Sequence, residues 1–260
     1  MTGVEHIAAA FAGADKRAAL MPYLMGGFPD PATSRAIGDA CIDAGADLLE
    51  LGIPFSDPLA DGPVIAAAGT AALRAGTTTE DVLAVAEALA PRAPVVLMTY
   101  VNIVLARGVD RFVRQAADAG AAGLIVPDVP MEEAGPLLEA CDAAGLALVP
   151  LVAPTTPDER LREIGARARG FLYTVSVTGI TGERVGVDYA TIVGRASAAT
   201  EVPVALGFGI SNAEQAARAA DAGADGVIVG SRLVREAAES DDPAAAVGRV
   251  VGELADGLVG

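Results

Sequence analysis

Across 260 residues the chain has no tryptophan, one histidine and one lysine. These absences exclude much chemistry. A Ser-His-Asp or Cys-His nucleophile needs an imidazole beside it, and only His6 is there to supply one. Histidine-rich zinc sites cannot be assembled. A Schiff-base aldolase needs a lysine in a pocket, and Lys16 precedes the first strand-like run. The two cysteines, Cys41 and Cys141, each lie in an alanine-rich helical stretch and read as small buried hydrophobes, not a disulfide. No apolar run approaches the roughly 18 residues of a membrane span. The N-terminus lacks a basic segment followed by an apolar one, so no secretory signal is visible and a cytoplasmic protein is expected. A net charge of −16 leaves no basic footprint for nucleic acid or anionic membranes. Proton chemistry in such a chain falls to Asp, Glu or Tyr.

The composition that remains is 52% hydrophobic, with 30 glycines and 16 prolines. Apolar β-rich runs recur at Pro22–Met25, Ala46–Leu51, Pro94–Thr99, Gly123–Val126, Leu146–Leu151, Phe171–Val175, Pro203–Leu206 and Gly226–Val229. Alanine-rich amphipathic stretches separate them, among them Thr33–Asp43, Glu132–Ala143 and Pro243–Leu254, and are expected to be helices. Near-continuous apolar strands imply burial on both faces, hence a parallel sheet. Asp-Ala-Gly-Ala precedes a strand at 43–46, 118–121 and 221–224, a repeated helix-to-strand turn. Eight alternations in this length predict a (β/α)8 TIM barrel, one domain over 1–260. An open doubly wound sheet is the alternative, but no G-x-G-x-x-G follows the first strand. Two segments exceed a minimal barrel, about 53–62 and 177–188. Both follow strand C-termini, where barrels place their active sites.

Glu50 ends the second apolar run, and strand alternation puts it on the face opposite Leu49 and Leu51. A carboxyl there has apolar neighbours, which raises its pKa and suits proton transfer. Asp61 lies eleven residues on, in a loop able to fold over the barrel mouth; as alternatives, Asp57 and Asp61 are turn formers or the cap of a helix after Pro63. Pro54, Pro58 and Gly62 punctuate this loop, which is expected to be attached only at its ends. Gly207-Phe-Gly-Ile-Ser211 and Val229-Gly-Ser-Arg232 follow the seventh and eighth runs, where barrels often bind phosphate on backbone N–H groups. Gly179-Ile-Thr-Gly182 is a third candidate wall, and the direction of Arg232 stays open. Tyr173 is placed to reach the pocket, whereas Tyr100, Asn102 and Asp128 are expected to shape loops. The residues alone describe a barrel enzyme acting on a phosphorylated small molecule through carboxylates.

The run Leu49-Glu-Leu-Gly-Ile-Pro-Phe-Ser-Asp-Pro-Leu-Ala-Asp-Gly62 resembles the signature of the tryptophan synthase α-subunit family. The resemblance continues through Met98-Thr-Tyr-Val-Asn102, Val126-Pro-Asp-Val-Pro130, Thr178-Gly-Ile-Thr-Gly182, Gly207-Phe-Gly-Ile-Ser211 and Gly230-Ser231, in order along nearly the whole chain. One departure is Met25-Gly-Gly-Phe-Pro29, where the family has Thr-x-Gly-Asp-Pro, in the wall near Tyr23. The resemblance implies a barrel that cleaves indole-3-glycerol phosphate to indole and glyceraldehyde 3-phosphate. It implies Glu50 and Asp61 as catalytic carboxylates, Gly182, Gly209, Gly230 and Ser231 as the phosphate site, and Tyr173 as a substrate-site residue. It further implies Asp57 as a contact to a β subunit in an α2β2 complex. Pyridoxal phosphate is expected only in that partner, with no cofactor or metal in this chain. A stand-alone indole-3-glycerol-phosphate lyase shares every motif and needs no partner; a catalytically dead regulatory barrel would not need to keep Glu50 and Asp61.

Overall fold

Inward and outward side chains alternate along every long strand, and this sorts the core into two layers. In β1 (Ala19–Met25), Ala19, Met21, Tyr23 and Met25 point to one cluster while Leu20 and Leu24 point to another. The further strands are β2 (Leu49–Gly52), β3 (Val95–Met98), β4 (Gly123–Ile125), β5 (Ala147–Val149), β6 (Leu151–Val152), β7 (Leu172–Val175), β8 (Val204–Gly207) and β9 (Gly226–Val229). Leu49, Leu51, Leu97, Leu124, Leu172 and Leu206 join the outer layer, under the helices. Val96, Met98, Ile125, Phe171, Tyr173 and Ile228 fill the inside. A strand buried on both faces has no polar positions to spare, which is why these runs read as nearly continuous apolar segments. The structure is a computed structural model that describes residues 1–176 and 188–259.

All pairings are parallel, in the order β5-β4-β3-β2-β1-β9-β8-β7-β6. The ends of this order, β5 and β6, flank one residue, Pro150. Leu146–Leu151, expected as a single strand, is therefore divided: proline has no N–H to give the ladder, although its carbonyl still accepts from Tyr173 N–H at 3.1 Å. Because both pieces belong to one continuous segment, the sheet closes on itself as a barrel, and the open doubly wound alternative is excluded.

Other boundaries moved with the caps. The helix expected over Glu132–Ala143 begins at Gly135, behind the turn at 131–133. Thr33–Asp43 starts two residues earlier at Pro31, where Asp30 caps it by accepting from Thr33 N–H at 2.9 Å. The last helix runs on to Leu258. The repeated Asp-Ala-Gly turns all put glycine at positive φ: Gly45, Gly120 and Gly223.

A helix at Gly3–Gly13 closes the N-terminal end of the barrel. Thr2 and Glu5 form a reciprocal cap at its start. Ile7 is fully buried, and the Phe11 ring lies 5.7 Å from that of Phe171. Burying such a side chain stabilises the fold by about 1.5–3 kcal/mol. At the same end Lys16 pairs with Asp47 at 3.0 Å, and Asp47 also accepts from Leu20 N–H at 2.7 Å. The single lysine and single histidine thus lie away from the C-terminal mouth. Both cysteines are buried and unpaired, and burial pushes each thiol up to about 12. Among the described residues no helix is long and apolar enough to cross a membrane.

Candidate active site

The C-terminal ends of the strands surround a cavity of about 180 Å³. Glu50 enters it from β2, in register with Tyr23 of β1 and Val96 of β3. It is 3% exposed, and among the described residues its Oε2 has no hydrogen-bond partner. Burial, followed by the nearby charge of Asp61, pushes its carboxyl up to about 8. Both causes favour the protonated form of Glu50.

Asp61 reaches the same cavity from the loop after β2, as the spacing predicted. It does not cap the following helix, Pro63–Arg74, whose N-cap is Gly62 without a side-chain bond. Burial raises Asp61 to about 6, while the Tyr100 hydroxyl opposes that rise by hydrogen bonding the ionised form. The two acids are thus shifted unequally, Glu50 further than Asp61, an asymmetry that general acid chemistry uses.

Tyr100 has a larger part than loop shaping. Its Oη accepts from Ala60 N–H at 3.0 Å, and its ring stacks on Phe55 with centroids 5.2 Å apart. The loop expected to be attached only at its ends is therefore pinned along its length as well. Strand alternation through Val96 and Met98 already pointed Tyr100 inward; that signal was present in the sequence. Asp128 does shape a loop, accepting from Val101 N–H at 2.9 Å. Asp57 lies on the exposed tip of the loop, away from Asp61 and bonded locally to Ser56. Beside it Leu59 is 82% exposed.

The opposite end of the cavity is formed by the two glycine loops. Phe208 and Gly209 both take positive φ, at 66° and 82°, and turns of this kind can offer successive N–H groups to an anion. Phe208 O accepts from the Ser176 hydroxyl, which holds the turn against β7. Ser211 is withdrawn from the cradle, since its N–H and hydroxyl both donate to Gln215 Oε1, at 2.7 and 3.1 Å. Gly230 is the N-cap of the helix Ser231–Glu239, with no side chain capping it. First-turn N–H groups have no intrahelical acceptor, so this end suits an anion. Arg232, left open above, lines the cavity while pairing with Glu236 at 3.0 Å. Arg235, one turn on, lines it too and was not foreseen. Gly182 lies outside the described residues.

Tyr173 and Tyr23 complete the walls. A Cβ on Gly207 would sit 2.5 Å from the Tyr173 hydroxyl, so β8 needs glycine there to admit the ring. The Met25–Pro29 departure leaves Tyr23 facing inward.

The family described as tryptophan synthase alpha chain matches residues 10–256. A tryptophan synthase alpha chain of Methanosarcina acetivorans is 46% identical over 245 residues, covering 94% of this chain and 90% of the relative. One from Synechococcus elongatus is 50% identical over 227 residues, covering 86% and 85%. Among solved structures, tryptophan synthase of Mycobacterium tuberculosis superposes with a TM-score of 0.91 at 42% identity, covering 97% of each chain. A structure from Pyrococcus furiosus described as the tryptophan synthase α2β2 complex gives 0.86 at 36% identity, covering 92% of this chain and 98% of that one. Matched in sequence along almost its full length and in fold by solved tryptophan synthases, the chain belongs to the tryptophan synthase alpha chain family.

Proposed function

We propose that the chain is a carbon–carbon lyase that cleaves indole-3-glycerol phosphate to indole and glyceraldehyde 3-phosphate. The observation that carries this reading is the pair of carboxyls, Glu50 and Asp61, facing one cavity that also holds the two glycine loops. The phosphate docks on the N–H groups near Gly209, Gly230 and Ser231, with Gly182 as a further family position, and fixes the glycerol chain beside Glu50. Tyr173 and the apolar wall hold the indole ring.

Glu50 gives its proton to indole C3, which makes the ring an electron sink. The glycerol hydroxyl next to the ring then loses its proton to the Glu50 carboxylate as the C–C bond breaks and its electron pair returns to the ring. Glu50 ends as it began, protonated. Asp61 accepts from the indole N–H and stabilises the positive charge that builds there. The scheme calls on no cofactor in this chain.

A β subunit, the carrier of pyridoxal phosphate in this scheme, docks over the loop that carries Asp57 and Leu59 in an α2β2 complex. The setting is the cytoplasm, in the last steps of tryptophan synthesis. The test is indole release from indole-3-glycerol phosphate by the purified chain, with and without a β subunit. Glu50→Gln serves as the inactive control. Release by Glu50→Gln at the wild-type rate would overturn the assignment. Full turnover without any response to the β subunit would favour the stand-alone lyase.

A further inference from the structure

Among the described residues four buried side-chain polar atoms find no partner, and two of them face the same cavity: Tyr23 Oη and Glu50 Oε2. They come from adjacent strands at register-paired positions. Buried donors and acceptors left unpaired cost about 1–3 kcal/mol each, so two such atoms on one cavity call for an explanation. The backbone around Tyr23 is cleared for its ring. A Cβ on Gly52 would lie 2.2 Å from the Tyr23 hydroxyl, and one on Gly230 would lie 3.3 Å from Tyr23 Cβ. The ring therefore starts beside the anion cradle and carries its hydroxyl across β2, two residues beyond Glu50. A phenylalanine would fill this lane equally well; what tyrosine adds is one proton donor in a dry place.

We propose that Tyr23 is a positioning residue for the reaction, its hydroxyl donating a hydrogen bond to the Glu50 carboxylate once Glu50 has given up its proton. The inference rests on Glu50 being the proton-transfer group. In the resting state the two atoms make no hydrogen bond. Ionised Glu50 is a buried anion, and a donor beside it offsets part of its desolvation. Tyr23 keeps its own proton: burial first, then Asp61, Glu50 and the neighbouring tyrosines, push its ionisation well above the ordinary range. The other groups facing Glu50 are Asp61 from the loop after β2, Tyr100 beyond β3 and Tyr173 on β7, with Arg232 and Arg235 at the cradle. None of them shares Tyr23's register with Glu50.

The experiment titrates Glu50 without turnover. The carboxyl stretching band that disappears in Glu50→Gln is followed against pH by infrared difference spectroscopy, in the wild-type chain and in Tyr23→Phe. Loss of a donor to the ionised form raises the midpoint, by about one unit. In parallel, kcat falls about tenfold with KM within about twofold, and the high-pH limb of kcat moves upward. Incorporation of 3-fluorotyrosine at position 23, which strengthens the donor without changing the packing, moves the midpoint down and guards against misfolding of the phenylalanine variant. An unchanged Glu50 midpoint in both variants overturns the proposal. A fully active Glu50→Gln instead overturns the reading of Glu50 itself, whatever Tyr23 does.

Discussion

The Tyr100 phenol stands behind Asp61 as its support: the oxygen takes the N–H of the preceding residue, Ala60, and the hydroxyl faces the Asp61 carboxyl and favours its charged form. One side chain at the end of β3 therefore sets both where the loop sits and how readily its acid ionises. Position and charge of Asp61 are coupled through a single hydroxyl.

Tyr100→Phe separates these effects from packing. The stack on Phe55 survives, so the melting temperature should fall by only a few degrees, the equivalent of about 1 kcal/mol. Asp61, without its donor, rises above about 6. The low-pH limb of kcat then shifts upward, and the loss of activity is greater at pH 6 than at pH 8. A uniform loss at every pH would mean that Tyr100 matters for loop position alone.

Glu50→Gln is expected to lower indole release by about 10²–10⁴-fold. It also changes stability in a direction opposite to most carboxylate substitutions. Folding raises Glu50 from 4.5 to about 8, so the folded state binds the extra proton between those values. Stability contributed by the protonated acid is present below pH 4.5 and is lost as the pH rises through 8. The wild type should therefore lose ground to Glu50→Gln between pH 5 and 9, by up to a few kcal/mol. Thermal melts of both proteins across that range measure the gap; a gap that stays constant would mean Glu50 is ionised in the fold.

Gly209→Asp tests the cradle. At φ 82° any side chain is strained, at a cost of about 1–2 kcal/mol, yet among the described residues the only neighbour a Cβ would meet is Ser176 Oγ at 3.6 Å. The fold should survive while the new carboxylate repels phosphate. Calorimetry with a phosphate-bearing substrate analogue should show binding weakened beyond detection. Unaltered affinity would place the phosphate elsewhere.

Asp57→Ala should leave the isolated chain's slow turnover within about twofold, because the residue sits on the exposed tip and touches neither carboxyl. Its effect should appear only as weaker activation by a β subunit. The ratio of kcat with and without saturating partner, compared between wild type and variant, decides the matter. Equal ratios remove Asp57 from the contact.

The barrel was legible because its strands are apolar on both faces and its turns repeat the same Asp-Ala-Gly phrase. Glu50 was legible for the same reason: a lone acid between Leu49 and Leu51 is conspicuous. What escaped depends on contacts between distant segments. Pro150 sits inside an apolar run, and nothing local says that the ladder breaks there while the chain continues. Arg235 lines the cavity only because its helix starts at Gly230, a boundary that no side-chain cap announces. The alternation of Val96 and Met98 points Tyr100 inward, but its bond to Ala60, forty residues away, is carried by no local pattern.

Among the described residues, the helix Gly3–Gly13 closes the lower end of the barrel and leaves the cavity facing the upper end. Ile7 and Phe11 stop the lower end, and Phe11 sits so close to Gly226 that a Cβ there would lie 2.8 Å from its ring. Everything that enters or leaves must share the upper doorway with the loop bearing Asp61 and the two glycine turns. A molecule seated on the cradle thus stands between the interior and solvent. A protein covering the same rim would govern admission of reactant and escape of product alike, with no need to touch Glu50.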